Sequence, residues 1–186
     1  MSMSQEAYDD IYQVLSKHFS EGCRYDAKII VFSAVPGSGK SELTKRLSSK
    51  YGYFRIANKD IRESFAKANQ TDNVDIADYT QWLLGKLNTH KKRSIVFDRN
   101  IDQLFDIIKV WSVRNNYRII VVTINCSRKI LEDRLLRREG DRNAKAFSTL
   151  DFYVEQHVIM QKKIKPDITL EDDYDLDHAA GMIADF

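Results

Sequence analysis

K28-I-I-V-F-S-A-V-P-G-S-G-K-S41 is an apolar, β-branched run that breaks abruptly into glycines, a lysine and a serine. The first six residues, K28-I-I-V-F-S33, have the composition of a buried strand. The chain holds only seven Gly and two Pro, yet Pro36, Gly37 and Gly39 fall within four positions. Where breakers are scarce, such a cluster marks backbone on an unusual path. A34-V-P-G-S-G-K-S41 fits the phosphate-loop pattern [A/G]-x-x-x-x-G-K-[S/T], with a small Ala34 in its first position. The chemistry explains the residue types. Gly37 and Gly39 let N–H groups turn inward with no Cβ in the way, and Pro36 and Ser38 complete the loop. A helix starting near Lys40 points its N-terminal amides and dipole at the same anion. Lys40 reaches the β- and γ-phosphates, and the Ser41 hydroxyl suits Mg²⁺.

Outward from this loop, apolar runs alternate with helical periodicity. Tyr8, Ile11, Tyr12, Leu15 and Phe19 predict an amphipathic helix over about 4–20. Further strands are expected at Tyr53–Ala57, Ser94–Asp98, Tyr117–Asn125 and Asp167–Leu170. Helices are expected over about 40–51, from about 60, and over about 75–90, 102–115, 128–139, 149–163 and 176–184. Continuous apolar strands separated by helices predict an α/β three-layer sandwich, a five-stranded parallel sheet covered on both faces. No repeat or linker interrupts the 186 residues, so one domain is expected.

Composition narrows the function classes. Net charge is +2, but residues 1–22 carry −3 and 167–186 carry −7, which leaves +12 in 23–166. A basic middle favours an anionic partner, either a nucleotide or nucleic acid. The longest apolar candidate, Ile119–Ile124, is far shorter than the roughly 18 residues of a membrane span. The first ten residues are polar and acidic, unlike a secretory leader. Cys23 and Cys126 are too few for a disulfide framework or a zinc site, and read as reduced thiols of a cytoplasmic protein. The four histidines have no metal spacing. Trp82 and Trp111 lie on apolar helix faces and are expected in the core. N58-K-D-I61 is not the N-K-x-D of guanine readers, and I95-V-F-D-R-N100 has no Glu after Asp98 to activate water. Asp98 nonetheless stands at the carboxyl end of a predicted strand, where open α/β sheets place ligand groups.

Together, V35-P-G-S-G-K-S41, I56-A-N-K-D-I-R62 and I95-V-F-D-R-N100 resemble the P-loop kinases, and among them the bacteriophage-type polynucleotide 5′-hydroxyl kinases and zeta-toxin-like kinases. The resemblance spans about 28–175 and adds an arginine-bearing lid over about 134–147, E132-D-R-L-L-R-R-E-G-D-R142. It implies ATP as phosphoryl donor, Mg²⁺ held at Ser41 and Asp98, and a hydroxyl acceptor. Under the resemblance, Asp60 is the catalytic base, Arg62 holds the acceptor's phosphate, and Asp98 belongs to the acceptor or metal-water network. Arg134 and Arg138, four apart on one helix face, would close over the transferring phosphoryl. The family pattern has two acids with an Arg three after the first. Here Lys59 precedes Asp60 and Arg62 is two after it, so the register at 58–62 is open by one residue. The favoured acceptor is a polynucleotide 5′-hydroxyl. The alternatives are a small metabolite or nucleoside monophosphate, or a nucleotide-binding switch that acts through a partner. The added N-terminal helix either covers the sheet or meets that partner.

Overall fold

A computed structural model describes residues 5–16, 24–67, 76–88, 92–100, 104–141 and 145–186. In chain order the elements are α1 (Gln5–Ser16), β1 (Lys28–Ala34), α2 (Lys40–Tyr51), β2 (Phe54–Ala57), α3 (Asn58–Lys67), α4 (Ile76–Asn88) and β3 (Ile95–Asn100). They continue with α5 (Phe105–Arg114), β4 (Arg118–Ile124), α6 (Arg128–Glu139), α7 (Lys145–Ser148), α8 (Leu150–Lys163), β5 (Ile168–Leu170) and α9 (Leu176–Asp185).

The five strands form one parallel sheet in the order β2-β3-β1-β4-β5. β1 is central because its residues are apolar on both faces and 29–34 are buried throughout. Strand alternation then splits the core in two. Ile29, Val31, Ile56, Ile95, Phe97 and Val121 pack on one face with residues of α1, α3, α4 and α5. Ile30, Phe32, Val96, Ile120 and Val122 pack on the other with α2 and α9. A third, smaller cluster joins Val35 to Leu131 and Leu135 of α6 and to Leu150 of α8, and so ties these two helices to the loop after β1.

α1 belongs to the first layer. Ile11 and Leu15 are buried, and Tyr8 packs on Tyr79 and Trp82. The sequence leaves this helix a choice between covering the sheet and meeting a partner; Ile11 and Leu15 of its described part are covered by this chain, and Phe19 lies outside the described residues. Trp82 and Trp111 both pack against the same cluster, as expected. α3 differs from expectation: it starts at Asn58, directly after β2, so Asp60 lies in its first turn. α7 is a four-residue helix that no periodicity signalled. His90, Arg142 and Cys23 lie outside the described residues. Among the described residues no helix is long and apolar enough to cross a membrane.

Candidate active site

The loop after β1 is shaped by its two glycines. Gly37 and Gly39 have φ of +91° and +93°, in the left-handed region that side chains avoid. Crowding adds to this at Gly39, where a Cβ would stand 2.8 Å from the Tyr174 hydroxyl. At Gly37 a Cβ would meet the Leu131 carbonyl at 3.3 Å. Gly39 is the N-cap of α2, and its carbonyl takes the Glu42 and Leu43 amides at 3.1 and 3.2 Å. The Lys40 and Ser41 amides, which precede these bonds at the start of α2, have no intrahelical partner. The buried Ser38 hydroxyl has no hydrogen-bond partner either.

Asp98 is the hub of the site. It lies on β3, beside β1, with 4% of its side chain exposed. Its Oδ1 accepts from Lys40 Nζ at 2.8 Å and from Ser41 Oγ at 2.9 Å. Its Oδ2 accepts from Arg55 Nη2. Arg55 comes from β2, and the register explains its reach: Ala57 pairs with Asp98, and Arg55 is two residues back on the same face. Arg55 also donates from Nη1 to Asp60 Oδ2 at 2.5 Å and from Nε to Thr44 Oγ1 at 3.2 Å. One guanidinium thus links both carboxylates that the sequence singled out. Burial alone would push the Asp98 carboxyl up; Lys40 and Arg55 outweigh it and hold the carboxyl below its ordinary range.

A cleft of about 600 Å³ opens at the carboxyl ends of these strands. Val35 to Glu42 form one wall. Asn58, Arg99 and Asn100 form part of the rest, with Arg134 and Arg138 of α6 and Phe152, Tyr153 and Gln156 of α8. The β1–β3 ladder shifts register between Ile30↔Val96 and Phe32↔Asn100. Such irregularities re-aim side chains beside sites, and this one falls at D98-R-N100.

The sequence-derived residues divide three ways. Pro36, Gly37, Ser38, Gly39, Lys40 and Ser41 line the cleft together, and Asp98 bonds the last two. Arg134 and Arg138 also line it, but their guanidiniums are engaged by the protein. Arg134 donates to the carbonyls of Ser38 at 3.1 Å and Asp172 at 3.1 Å, so it fastens the loop to the segment before α9. Arg138 is exposed and pairs with Glu139 at 2.7 Å. Asp60 and Arg62 do not line the cleft; Asp60 is held by Arg55, and Arg62 is exposed. Arg55, Asn58, Arg99 and Asn100 were missed, although the D-R-N triplet was in view.

Two further groups sit behind the loop. His157 of α8 is buried, with Nδ1 3.0 Å from Ser33 Oγ and Nε2 3.1 Å from Gln161 Nε2. The amide donates to Nε2, which assigns the ring proton to Nδ1 and the bond to Ser33. Burial lowers its pKa, so the neutral ring is favoured. Cys126 lies 3.8 Å from the Ser38 carbonyl, and burial pushes its thiol up to about 11.

No family model and no curated protein matches the sequence. Solved structures do match. A gluconokinase from Sinorhizobium meliloti 1021 superposes with TM-score 0.57 at 17% identity, over 87% of this chain and 96% of that one. Shikimate kinase from Bacteroides thetaiotaomicron gives TM-score 0.55 at 14% identity, over 85% and 96%. The Mycobacterium tuberculosis APS kinase, solved with AMPPNP and APS, gives 0.52 at 16% identity, over 87% and 98%. At these identities the likeness is one of fold: the chain has the α/β fold of the P-loop kinases.

Proposed function

We propose that the protein is a phosphotransferase that moves the γ-phosphoryl group of ATP to a hydroxyl of a small-molecule acceptor. The observation that carries this reading is the convergence of Lys40 and Ser41 on Asp98 at the mouth of a cleft, in a loop whose two glycines are held at positive φ. The fold neighbours, a gluconokinase and a shikimate kinase among them, support a kinase and a small acceptor over a polynucleotide.

The residues fit Mg²⁺ bound mainly through the nucleotide. Ser41 Oγ and Asp98 Oδ1 are hard oxygen donors 2.9 Å apart, the donor type this ion prefers. Bound there, Mg²⁺ would neutralise phosphate charge. The rest falls to the chain. The loop amides and Lys40 take the β- and γ-phosphates, and Lys40 exchanges its Asp98 contact for phosphate oxygens. The acceptor oxygen attacks the γ-phosphorus in line, the bond to the β,γ-bridging oxygen breaks, and ADP leaves. Asp60 does not line the cleft, so as the base it requires the acceptor hydroxyl to reach it past Asn58, the cleft residue of the same first turn; Arg55 holds Asp60 through Oδ2, which leaves Oδ1 to take the proton. Arg138, exposed on the cleft's rim, releases Glu139 to meet the transferring group. Positioning and charge supply most of the catalysis, since phosphoryl transfer asks little covalent help.

The test is a γ-phosphate transfer screen over sugars, hydroxy acids, nucleoside monophosphates and 5′-hydroxyl oligonucleotides. Lys40→Ala is expected to lower transfer by about 10³-fold or more while the thermal transition is kept. Asp60→Asn is expected to keep nucleotide affinity and lose transfer by about 10²–10⁴-fold. Transfer intact in Asp60→Asn would move the base elsewhere, and absent ATP binding in the wild type would end the proposal. The basic 23–166 segment supports a second reading, a polynucleotide 5′-hydroxyl acceptor, which the same screen contains.

A further inference from the structure

Arg99 is out of keeping with the other cations around the cleft. Lys40 pairs with Asp98, Arg55 with Asp98 and Asp60, and Arg138 with Glu139. Arg134 donates to three backbone carbonyls. Arg99 lines the cleft and is half-buried, and its Nε and Nη1 are buried and have no hydrogen-bond partner. Its neighbours repeat the pattern. Asn58 Oδ1 and Asn100 Oδ1 are also buried without a partner, and both residues line the same cleft. Arg62 lies close enough for its charge to act unfavourably on Arg99.

A guanidinium withdrawn from water with donors unused is costly, and a second cation beside it raises that cost. Native proteins keep such groups where a ligand completes them. The complement of a guanidinium fork is an anion with two oxygens, a carboxylate or a phosphate ester, and a nearby second arginine suits the same charge. The complement of two side-chain amides is a set of hydroxyl groups, since an amide both donates and accepts. The phosphate loop forms another wall of the cleft, so the triphosphate has its own partners there and does not need Arg99.

We infer that Arg99 is the specificity residue of the acceptor site, and that the acceptor is a small polyhydroxylated anion whose carboxylate or phosphate binds Arg99 while its hydroxyls meet Asn58 and Asn100. This rests on the proposed kinase reading for the chemistry, but the anion site can be tested by binding alone.

The experiment is calorimetry and thermal shift on the full chain with saturating AMPPNP and Mg²⁺, so that the phosphate loop is already occupied. The probes are gluconate and glycerate as carboxylates, glucose 6-phosphate and glycerol 3-phosphate as phosphates, and glucose and glycerol as neutral counterparts. At least one anionic probe is expected to bind the wild type more tightly than its neutral counterpart. Which pair responds separates carboxylate from phosphate. Arg99→Gln is expected to weaken that probe by about 10- to 100-fold and to leave the neutral probe and AMPPNP unchanged. Because it removes a half-buried charge whose Nε and Nη1 have no partner, Arg99→Gln is also expected to leave the ligand-free melting temperature level or higher. A melting temperature clearly lowered by Arg99→Gln would make Arg99 part of the fold's own network and overturn the inference. Equal binding of anionic and neutral probes, or equal effects of Arg99→Gln on both, would overturn it as well. Failure of the two readings is distinguishable. Anion binding through Arg99 with no transfer to any probe ends the kinase reading alone. Transfer to neutral sugars that ignores Arg99→Gln ends this one alone.

Discussion

Gly39 has two independent reasons to lack a side chain, its φ of +93° and the Tyr174 hydroxyl 2.8 Å from any Cβ. They can be separated. Gly39→Ala is expected to destabilise the fold by about 1–3 kcal/mol, the usual scale for strain of this kind. Adding Tyr174→Phe removes the nearest atom and leaves φ untouched, so the double variant should regain only part of the loss in denaturant titration. Full recovery would mean that the backbone carries no strain. The glycines and Lys40 were legible because a phosphate loop is a local pattern whose chemistry constrains adjacent residues. Arg55 was not. It is a polar residue in a four-residue strand, and its meaning comes from Asp98, 43 positions away. His157 was likewise opaque: its neutral state follows from burial, and its tautomer from Ser33 and Gln161, which only the fold brings to it. Burial lowers its pKa below the usual value near 6.5, so the unfolded chain binds the proton more readily in that window. The stability it contributes is full above about pH 6.5 and is lost as pH falls through the folded value. His157→Gln is expected to flatten the fall in melting temperature between pH 7.5 and 5.5. Parallel curves for variant and wild type would remove His157 from that dependence.

Helices and strands were read well where burial is periodic and poorly where a short element is set by its neighbours. All five strands fall where the apolar runs stand, because a parallel strand buried on both faces has no polar side to hide it. α7 was missed since four residues carry no period, and its place follows from packing of Ala146 and Phe147 against Leu131, Leu135 and Leu150. α3 was placed late because β2 passes into it with no loop. That junction puts Asp60 in a first turn, where a carboxylate is favoured by the helix dipole, and within reach of Arg55. α1 contributes at this scale through packing. Ile11 is wholly buried among the first layer's side chains. Ile11→Ala is expected to lower stability by about 2–5 kcal/mol, the cost of a large-to-small change with its cavity. Exposed Gln13→Ala on the same helix should cost far less, since Ala is the better helix former, and equal losses in urea titration would show that burial of Ile11 is not what α1 contributes.

The charge separation seen along the chain is partly resolved by the fold. The acidic segment 167–186 does not stand apart from the basic middle. Asp177 pairs with Arg46 and Lys50 on α2. Asp167 accepts from the Val121 amide at 2.8 Å, Asp172 from the Ser127 amide at 2.7 Å, and Glu171 from Asn125 at 3.2 Å. Much of the positive excess around the cleft is also spoken for, by Asp98, Asp60, Glu139 and backbone carbonyls. Segment charge therefore overstates what remains to bind a polyanion, which is why the sequence leaned toward a polynucleotide. The two acceptor classes part most sharply in their response to salt. A single-stranded acceptor held by about three phosphate contacts should lose about tenfold in affinity between 50 and 200 mM salt, through counterion release. A small acceptor releases few counterions and should show a shallow slope. The measurement is acceptor KM at both salt concentrations, for a 5′-hydroxyl oligonucleotide and for the best small acceptor of the transfer screen, with nucleotide saturating. The expected outcome is turnover of the small acceptor with KM changed less than about threefold, and an oligonucleotide that neither turns over nor competes. Oligonucleotide turnover with a steep salt slope would restore the polynucleotide reading, and would require the exposed Arg138 on the cleft's rim and the exposed Arg62 outside it to bind backbone phosphates.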